Sequence, residues 1–296
     1  MELFTLGRGN YTENDIKEAA RAFTGWGFNL GGEFVFRKQF HDTGNKTIFG
    51  KTGNFDGDDV IAMLLENKQT ARFITGKVYR FFVNDTTDAD HITTLSKDFY
   101  QSGYDIKKLM SGIFQSAWFY NKENTGVKIK SPVELLVGIR RILPMDFEQE
   151  EVQLLYQRLL GQMLFNPPNV AGWPGGKSWI DSSSLMYRLR LPRLLHDDQD
   201  FTAKPKDDDD VMMGQAGAVK AMQRGRINVK IDWPAYTSAY KNIPRNDLAI
   251  SIAAGLLQGG KADMGLLNKY ADAADRESYI RTVTINLMST PDYQLM

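Results

Sequence analysis

Apolar residues recur at helical spacing through most of the chain. Ile16, Ala19, Ala20 and Phe23 share one face. They follow a Thr12-Glu13-Asn14-Asp15 start in which Asp15 stands where it can reach back to the cap. From Gly57 to Ser116 four further stripes predict four helices. They run through Val60, Ile61, Leu64 and Leu65, then Ile74, Val78, Phe81 and Phe82, then Ile92, Leu95 and Phe99, then Ile106, Leu109, Met110 and Ile113. Ser131-Pro132-Val133-Glu134 combines a cap, a first-position proline and a glutamate at the third position, so it predicts a helix carrying Leu135, Leu136, Ile139 and Ile142. Gln149–Leu160 predicts another, and Asp181 or Ser182 caps one that holds Leu185, Met186 and Leu189. Leu248–Leu257, Met264–Ala271 and Ser278–Met288 return to the helical period, and Met1–Leu6 reads as the tail of a helix.

Three stretches break the period. Glu33–Phe40 and Lys46–Lys51, separated by the turn-like HDTGN, predict an antiparallel hairpin over about 33–51. Arg226–Trp233 alternates Ile227, Val229 and Ile231 and predicts a lone strand. Gly161–Ser184 packs prolines, glycines and two tryptophans between helices. Its apolar content, Phe165, Val170, Trp173, Trp179 and Ile180, predicts an ordered, packed loop. The fold class is therefore mainly α: an irregular multi-helix domain with a small antiparallel β-hairpin and long ordered Gly/Pro/Trp-rich loops. The expected organisation is a helical domain over 1–195, an acidic and polar excursion over 196–225, and a C-terminal strand and helices over 226–296 packing on the same domain.

Composition narrows the function classes. Lys+Arg and Asp+Glu both number 36, so no global basic field attracts nucleic acid. No apolar run is long enough to span a bilayer, and MELFTLGRGN has no basic segment leading into a long apolar one. The absence of cysteine excludes disulfides, thiolate metal sites and cysteine nucleophiles.

Several long segments resemble the bacterial "domain of unknown function 1800" family: ELFTLGRGNYTENDIKEAARAFTGW, FVFRKQFHDTGNKTIFG, TARFITGKVYRFFV, KSPVELLVGIRR and GQMLFNPPNVAGWPGGKSWIDSSSLMYR, with STPDYQL near the end. The resemblance spans the chain apart from the acidic excursion. Members are usually longer, with an N-terminal helical half ending at the ELFTLG segment, so this chain resembles their C-terminal portion. Many members carry export signals, which implies the periplasm or the cell surface. The resemblance brings no activity and no catalytic residues.

Candidate chemistry is sparse. His41 beside Asp42, with Lys46 soon after, suits a general base or a ligand. The competing reading is a turn in which Asp42 bonds backbone amides while His41 packs. The three histidines, His41, His91 and His196, form no zinc-ligand spacing. Asp207–Asp210 and Asp56-Gly57-Asp58-Asp59 lack a calcium-loop pattern, so neither a metal nor a cofactor is expected. Gly172–Ser178 ends in Gly-Lys-Ser, but its first glycine is too close and Pro174 removes an amide that a phosphate loop uses. The ligand-binding candidates are Trp26, Lys46, Asn169, Trp173, Lys177 and Trp179, whose aromatic faces and amides suit a glycan or a peptide. Opposed to this, the tryptophans are buried plugs. The first expectation is an exported binding or assembly protein whose partner is another exported protein or a glycan, with no nucleic acid. The alternative is a hydrolase-like enzyme using His41, Asp42 and Asp181, with Lys46 or Arg80 holding an anion.

Overall fold

The first helix shows how the sequence writes its own boundaries. Thr12 accepts a hydrogen bond from the Asp15 amide and Asp15 accepts one from the Thr12 amide, so α1 (Glu13–Ala22) starts on a complete capping box. The same device, built from Asp56 and Asp59, starts α2 (Gly57–Glu66). The computed structural model describes residues 1–196, 229–259 and 262–296. They fall into two compact units, Met1–Asn121 and Lys122–Met296. Both are mainly helical, and the strands among the described residues form two-stranded antiparallel sheets.

In the first unit, α1 leads into β1 (Trp26–Phe28) and β2 (Phe34–Phe36), then β3 (Lys46–Ile48) and β4 (Lys51–Gly53). After α2 come α3 (Lys68–Phe82), α4 (Ala89–Gln101) and α5 (Ile106–Phe114). Ala19, Ala22, Ile48, Val60 and Met63 form one buried cluster, and Tyr79, Ile92, Leu95, Phe99, Leu109 and Ile113 belong to another.

The expected single hairpin is instead two. Residues 33–40 do not pair with 46–51. Phe34–Phe36 pairs back onto Trp26–Phe28, and Lys46–Ile48 pairs forward onto Lys51–Gly53. Local turn chemistry decides this. Asn29 Oδ1 accepts from the Gly31 and Glu33 amides and closes the first turn. Phe49 and Gly50 both take positive φ, the two-residue geometry that matches strand twist. Met1–Leu6 is a wound turn in which the Thr5 and Leu6 amides donate to the Met1 carbonyl, and it ends at Gly7 in the left-handed region.

The second unit contains α6 (Pro132–Ile142), β5 (Met145–Phe147), α7 (Val152–Leu160), α8 (Ser182–His196), β6 (Val229–Ile231), α9 (Trp233–Ser238), α10 (Leu248–Leu256), α11 (Met264–Tyr270) and α12 (Arg276–Met288). Its core includes Leu135, Ile139, Tyr156, Leu191, Ile252 and Val283. Helix α12 buries residues around most of its circumference, from Tyr279 to Met288, as a central helix does. The strand expected to be alone is paired: Val229–Ile231 runs antiparallel to Met145–Phe147. Its partner follows Pro144 and spans three residues, too few to show alternation. Lys128 and Met296 exchange amide–carbonyl hydrogen bonds, and the Lys130 amide donates to the Gln294 carbonyl. Residues 197–225 of the expected acidic excursion, including Asp207–Asp210, lie outside the described residues.

Candidate functional site

Three polar residues along α1 hold the segment that follows the first hairpin. Asp15, Glu18 and Arg21 are spaced by three, so they lie on one stripe of the helix. Asp15 Oδ1 accepts from the Phe49 amide at 2.7 Å, and Glu18 Oε2 accepts from the Thr47 amide at 3.0 Å. Arg21 donates two bonds to the Asp42 carboxylate, from Nε at 2.8 Å and Nη2 at 3.2 Å, and its Nη1 reaches Glu18. The Arg21 hydrogen bonds, helped by the Gly44 amide, pull the Asp42 carboxyl down to about 2, and the Arg21 guanidinium is shifted upward in return.

Asp42 is thereby committed to the fold. Its amide donates to Thr24 Oγ1 at 2.8 Å, and its side chain accepts from Gly44. His41 and the Asp42 carboxylate bond to different partners. His41 Nδ1 lies 2.9 Å from the Thr24 carbonyl, and because a carbonyl only accepts, Nδ1 carries the hydrogen. The imidazole also packs edge-on against Phe36. Lys46 is fully buried, at 0% exposure. Its ammonium donates to the Asp42 and Gly44 carbonyls at 2.6 and 3.0 Å and reaches Asn54 Oδ1 at 3.4 Å. Its donors thus brace the turn from within.

The first hairpin rests on this frame. Gly25, at φ +84°, has its carbonyl 2.7 Å from the Arg37 amide, and a side chain there would meet the Arg37 carbonyl at 2.8 Å. Trp26 stands edge-on between Phe23 and Phe34 and covers Gly57, where an added Cβ would lie 2.4 Å from the indole. In register, Trp26 faces Phe36 and Phe28 faces Phe34. Strand alternation therefore puts these four aromatics on one face of the two-stranded sheet and Gly27 and Val35 on the other. Phe28, Phe34 and Phe36 are 74%, 63% and 46% exposed, Leu30 at the tip is fully exposed, and Phe40 just beyond is open as well. Beside the tip, Phe28, Asn29, Leu30, Gly32 and Arg37 line a shallow open depression.

The remaining candidates belong to the second unit. Trp179 is buried, Trp173 is half-buried, and Asn169 and Lys177 are exposed. Asn169 Oδ1 accepts from the Ala171 amide. Asp181 Oδ1 accepts from the Ser183 and Ser184 amides, and the Ser184 hydroxyl donates to the Trp179 carbonyl, so this aspartate starts α8. The loop is not packed throughout as its composition predicts. Phe165, at φ +63°, is 97% exposed, and Val170 is exposed too. Burying the Trp179 indole anchors the C-terminal end of the loop, and the Pro167-Pro168 end carries its apolar groups outward.

Two groups are engaged in ways that the sequence pattern does not show. Glu18 and Arg21 were hidden because charged residues on a helix read as a solvated face, although their spacing with Asp15 marks a shared stripe. Arg188 is at 0% exposure inside a helix that otherwise reads as amphipathic. Its Nε donates to Gln294 Oε1 at 3.2 Å, and its Nη2 donates to the Lys130 carbonyl. Lys130 donates to the Tyr293 carbonyl and lies over the Tyr293 ring. Burial, reinforced by repulsion from Arg188, brings the Lys130 ammonium down to about 8. Among the described residues no three His, Asp or Glu side chains converge as metal ligands, and no helix is long and apolar enough to cross a membrane.

These features define a mainly helical protein of two compact units in which the chemistry-bearing residues near His41 are engaged in holding a loop. The chain belongs to the family described as "Protein of unknown function (DUF1800)", whose model matches residues 1–295. It matches no curated protein and no solved structure.

Proposed function

We propose that the protein is a binding or assembly module acting outside the cytoplasm, and that its contact face is the aromatic side of the β1–β2 hairpin. The observation that carries this reading is the exposure of Phe28, Phe34 and Phe36 on one face with Leu30 at its tip. Contiguous apolar surface of this kind marks interaction sites. The frame beneath it is fixed in advance by Arg21, Lys46 and Gly25, which lowers the ordering cost of binding. A protein partner fits better than a glycan. The one amide at the tip, Asn29, is spent on Gly31, Glu33 amide and Glu33 carboxylate contacts within the turn. Phe165 and Val170 on the loop after α7 offer a second apolar contact of the same kind. The extracytoplasmic location is supported by the family resemblance and is checked by fractionating cells that express the protein from its own gene.

The direct test is photo-cross-linking in those cells from a reactive residue at position 30, with exposed Lys97 as the control position. A discrete adduct from position 30 and none from position 97 is expected. Equal labelling from both would overturn the reading.

A further inference from the structure

We infer that Lys130 is an amine nucleophile, placed to take up small aldehydes as a covalent imine. The site belongs to the second unit and is independent of the hairpin face. The Lys130 amide donates to the Gln294 carbonyl at 2.8 Å, and the Lys130 carbonyl accepts from Arg188 Nη2, so the main chain that carries the side chain is fixed. Nζ donates to the Tyr293 carbonyl at 2.6 Å and lies 3.7 Å from the centre of the Tyr293 ring. The seat thus offers two acceptors, a carbonyl oxygen and a π face, and among the described residues Nζ has no third. An ammonium carries three hydrogens, whereas an amine carries two and a lone pair. The two acceptors therefore suit the amine, whose lone pair falls on the remaining side. Lys130 is half-buried, so that side stays within reach of a small solute.

Charge favours the same form. Among the described residues no ion pair joins Lys130 or Arg188 to an acid. Glu134, the carboxylate whose charge is felt at both, accepts from the Ser131 amide at 2.6 Å and so caps α6. Arg188 is fully buried, and its Nη1 has no partner among the described residues, so a second cation stands beside the lysine largely uncompensated. Desolvation and a neighbouring cation both activate a lysine. The fall of Lys130 to about 8, from burial first and Arg188 second, agrees with the contacts. The reaction needs neither oxidant nor reductant. The Nζ lone pair adds to the aldehyde carbon as the carbonyl π electrons move to oxygen. Both amine hydrogens then leave with that oxygen as water while the C=N bond forms. Amine and aldehyde give imine and water, and hydrolysis reverses the step.

The test is chemical and uses the full chain. The protein is exposed briefly to dilute propanal over a range of pH and quenched with borohydride, and propylated lysines are mapped by peptide mass spectrometry. At about pH 7.5 an amine titrating at about 8 is about one-quarter uncharged, against about one in a thousand for an ordinary lysine. Lys130 is therefore expected to label at least about tenfold faster than exposed Lys97, with its half-maximal rate near the value of about 8. In urea the preference should vanish, because the seat is lost with the fold. Lys130→Arg, which keeps a cation over the Tyr293 ring, should remove the fast site and leave labelling elsewhere unchanged. Labelling of Lys130 no faster than Lys97 overturns the inference. So does a preference that survives in urea, or a fast site that persists in Lys130→Arg. None of these outcomes involves position 30, so the inference and the hairpin reading stand or fall separately.

Discussion

At the scale of single residues, the side chains that look most chemical are those most committed to structure. Lys46 is a buried cation whose partners are two carbonyls and an amide oxygen, so removing it takes the donor from three part-buried contacts and leaves a void where its stem packed. Lys46→Ala is expected to cost about 2–4 kcal/mol in urea denaturation, more than an exposed lysine would. Asp42 ties stability to pH. Its folded pKa of about 2 lies below the ordinary carboxylate value of about 3.9. The contribution is therefore complete above that ordinary value and is lost as pH falls toward about 2. Asp42→Asn should flatten this part of the acid limb without abolishing it, since Asp15, Glu18 and Asp275 are lowered as well. An acid titration of stability identical to the wild type would refute the assignment. Neighbours in sequence suggested a His41–Asp42 pair. The fold turns the two side chains to different partners, Thr24 and Arg21, and only the three-dimensional path of the chain reveals that.

At the scale of elements, the glycines around the first hairpin are spacing devices. An alanine at Gly57 would press into Trp26, and repacking of this kind costs about 1–3 kcal/mol. Gly57→Ala is expected to displace the indole, visible as a shift in tryptophan emission together with a lower melting temperature. An unchanged emission spectrum would mean that α2 yields instead. In the second unit, Arg188 joins α8 to the segment before α6 and to Gln294. Arg188→Ala should destabilise that unit by about 3 kcal/mol, because it strands the buried Gln294 acceptor and the part-buried Lys130 carbonyl. Arg188→Met, which keeps the packing but not the bonds, separates the two contributions. Helix positions were legible because caps and periodicity are local: the boxes at Thr12 and Ser131 stand where their sequences put them. Strand partners were not legible. Three-residue strands carry almost no periodic signal, and pairing follows turn geometry at Asn29 and Phe49-Gly50.

At the scale of the molecule, each unit has a core of its own, drawn around α3–α4 and Ala19–Met63 in the first and around α12 in the second. A substitution confined to one core should therefore act on one set of reporters. With Lys46→Ala, tryptophans 26 and 118 are expected to report an earlier transition while Trp233 keeps its own, measured in single-tryptophan variants. Coincident shifts at all three would show one cooperative unit. The mainly helical class was readable from composition and period, and the resemblance identified the family. The hairpin segment proposed for contact was legible as a β element, but the face on which its aromatics gather was not. Phe34 and Phe36 look like core residues of a hairpin, but among the described residues they remain 63% and 46% exposed on the face they share with Trp26 and Phe28.

The pairing of Lys128 and Lys130 with Gln294 and Met296 has a consequence for biosynthesis. The strand-like contact that closes the second unit joins its first residues to its last. On the ribosome that unit cannot be completed until residue 296 has emerged, whereas the capping boxes, hairpins and buried clusters of the first unit are all encoded by residue 121. The nascent chain therefore carries the encoded clusters of the first unit ahead of a second unit whose core, including Leu135 and Ile139, cannot close until its last residues arrive.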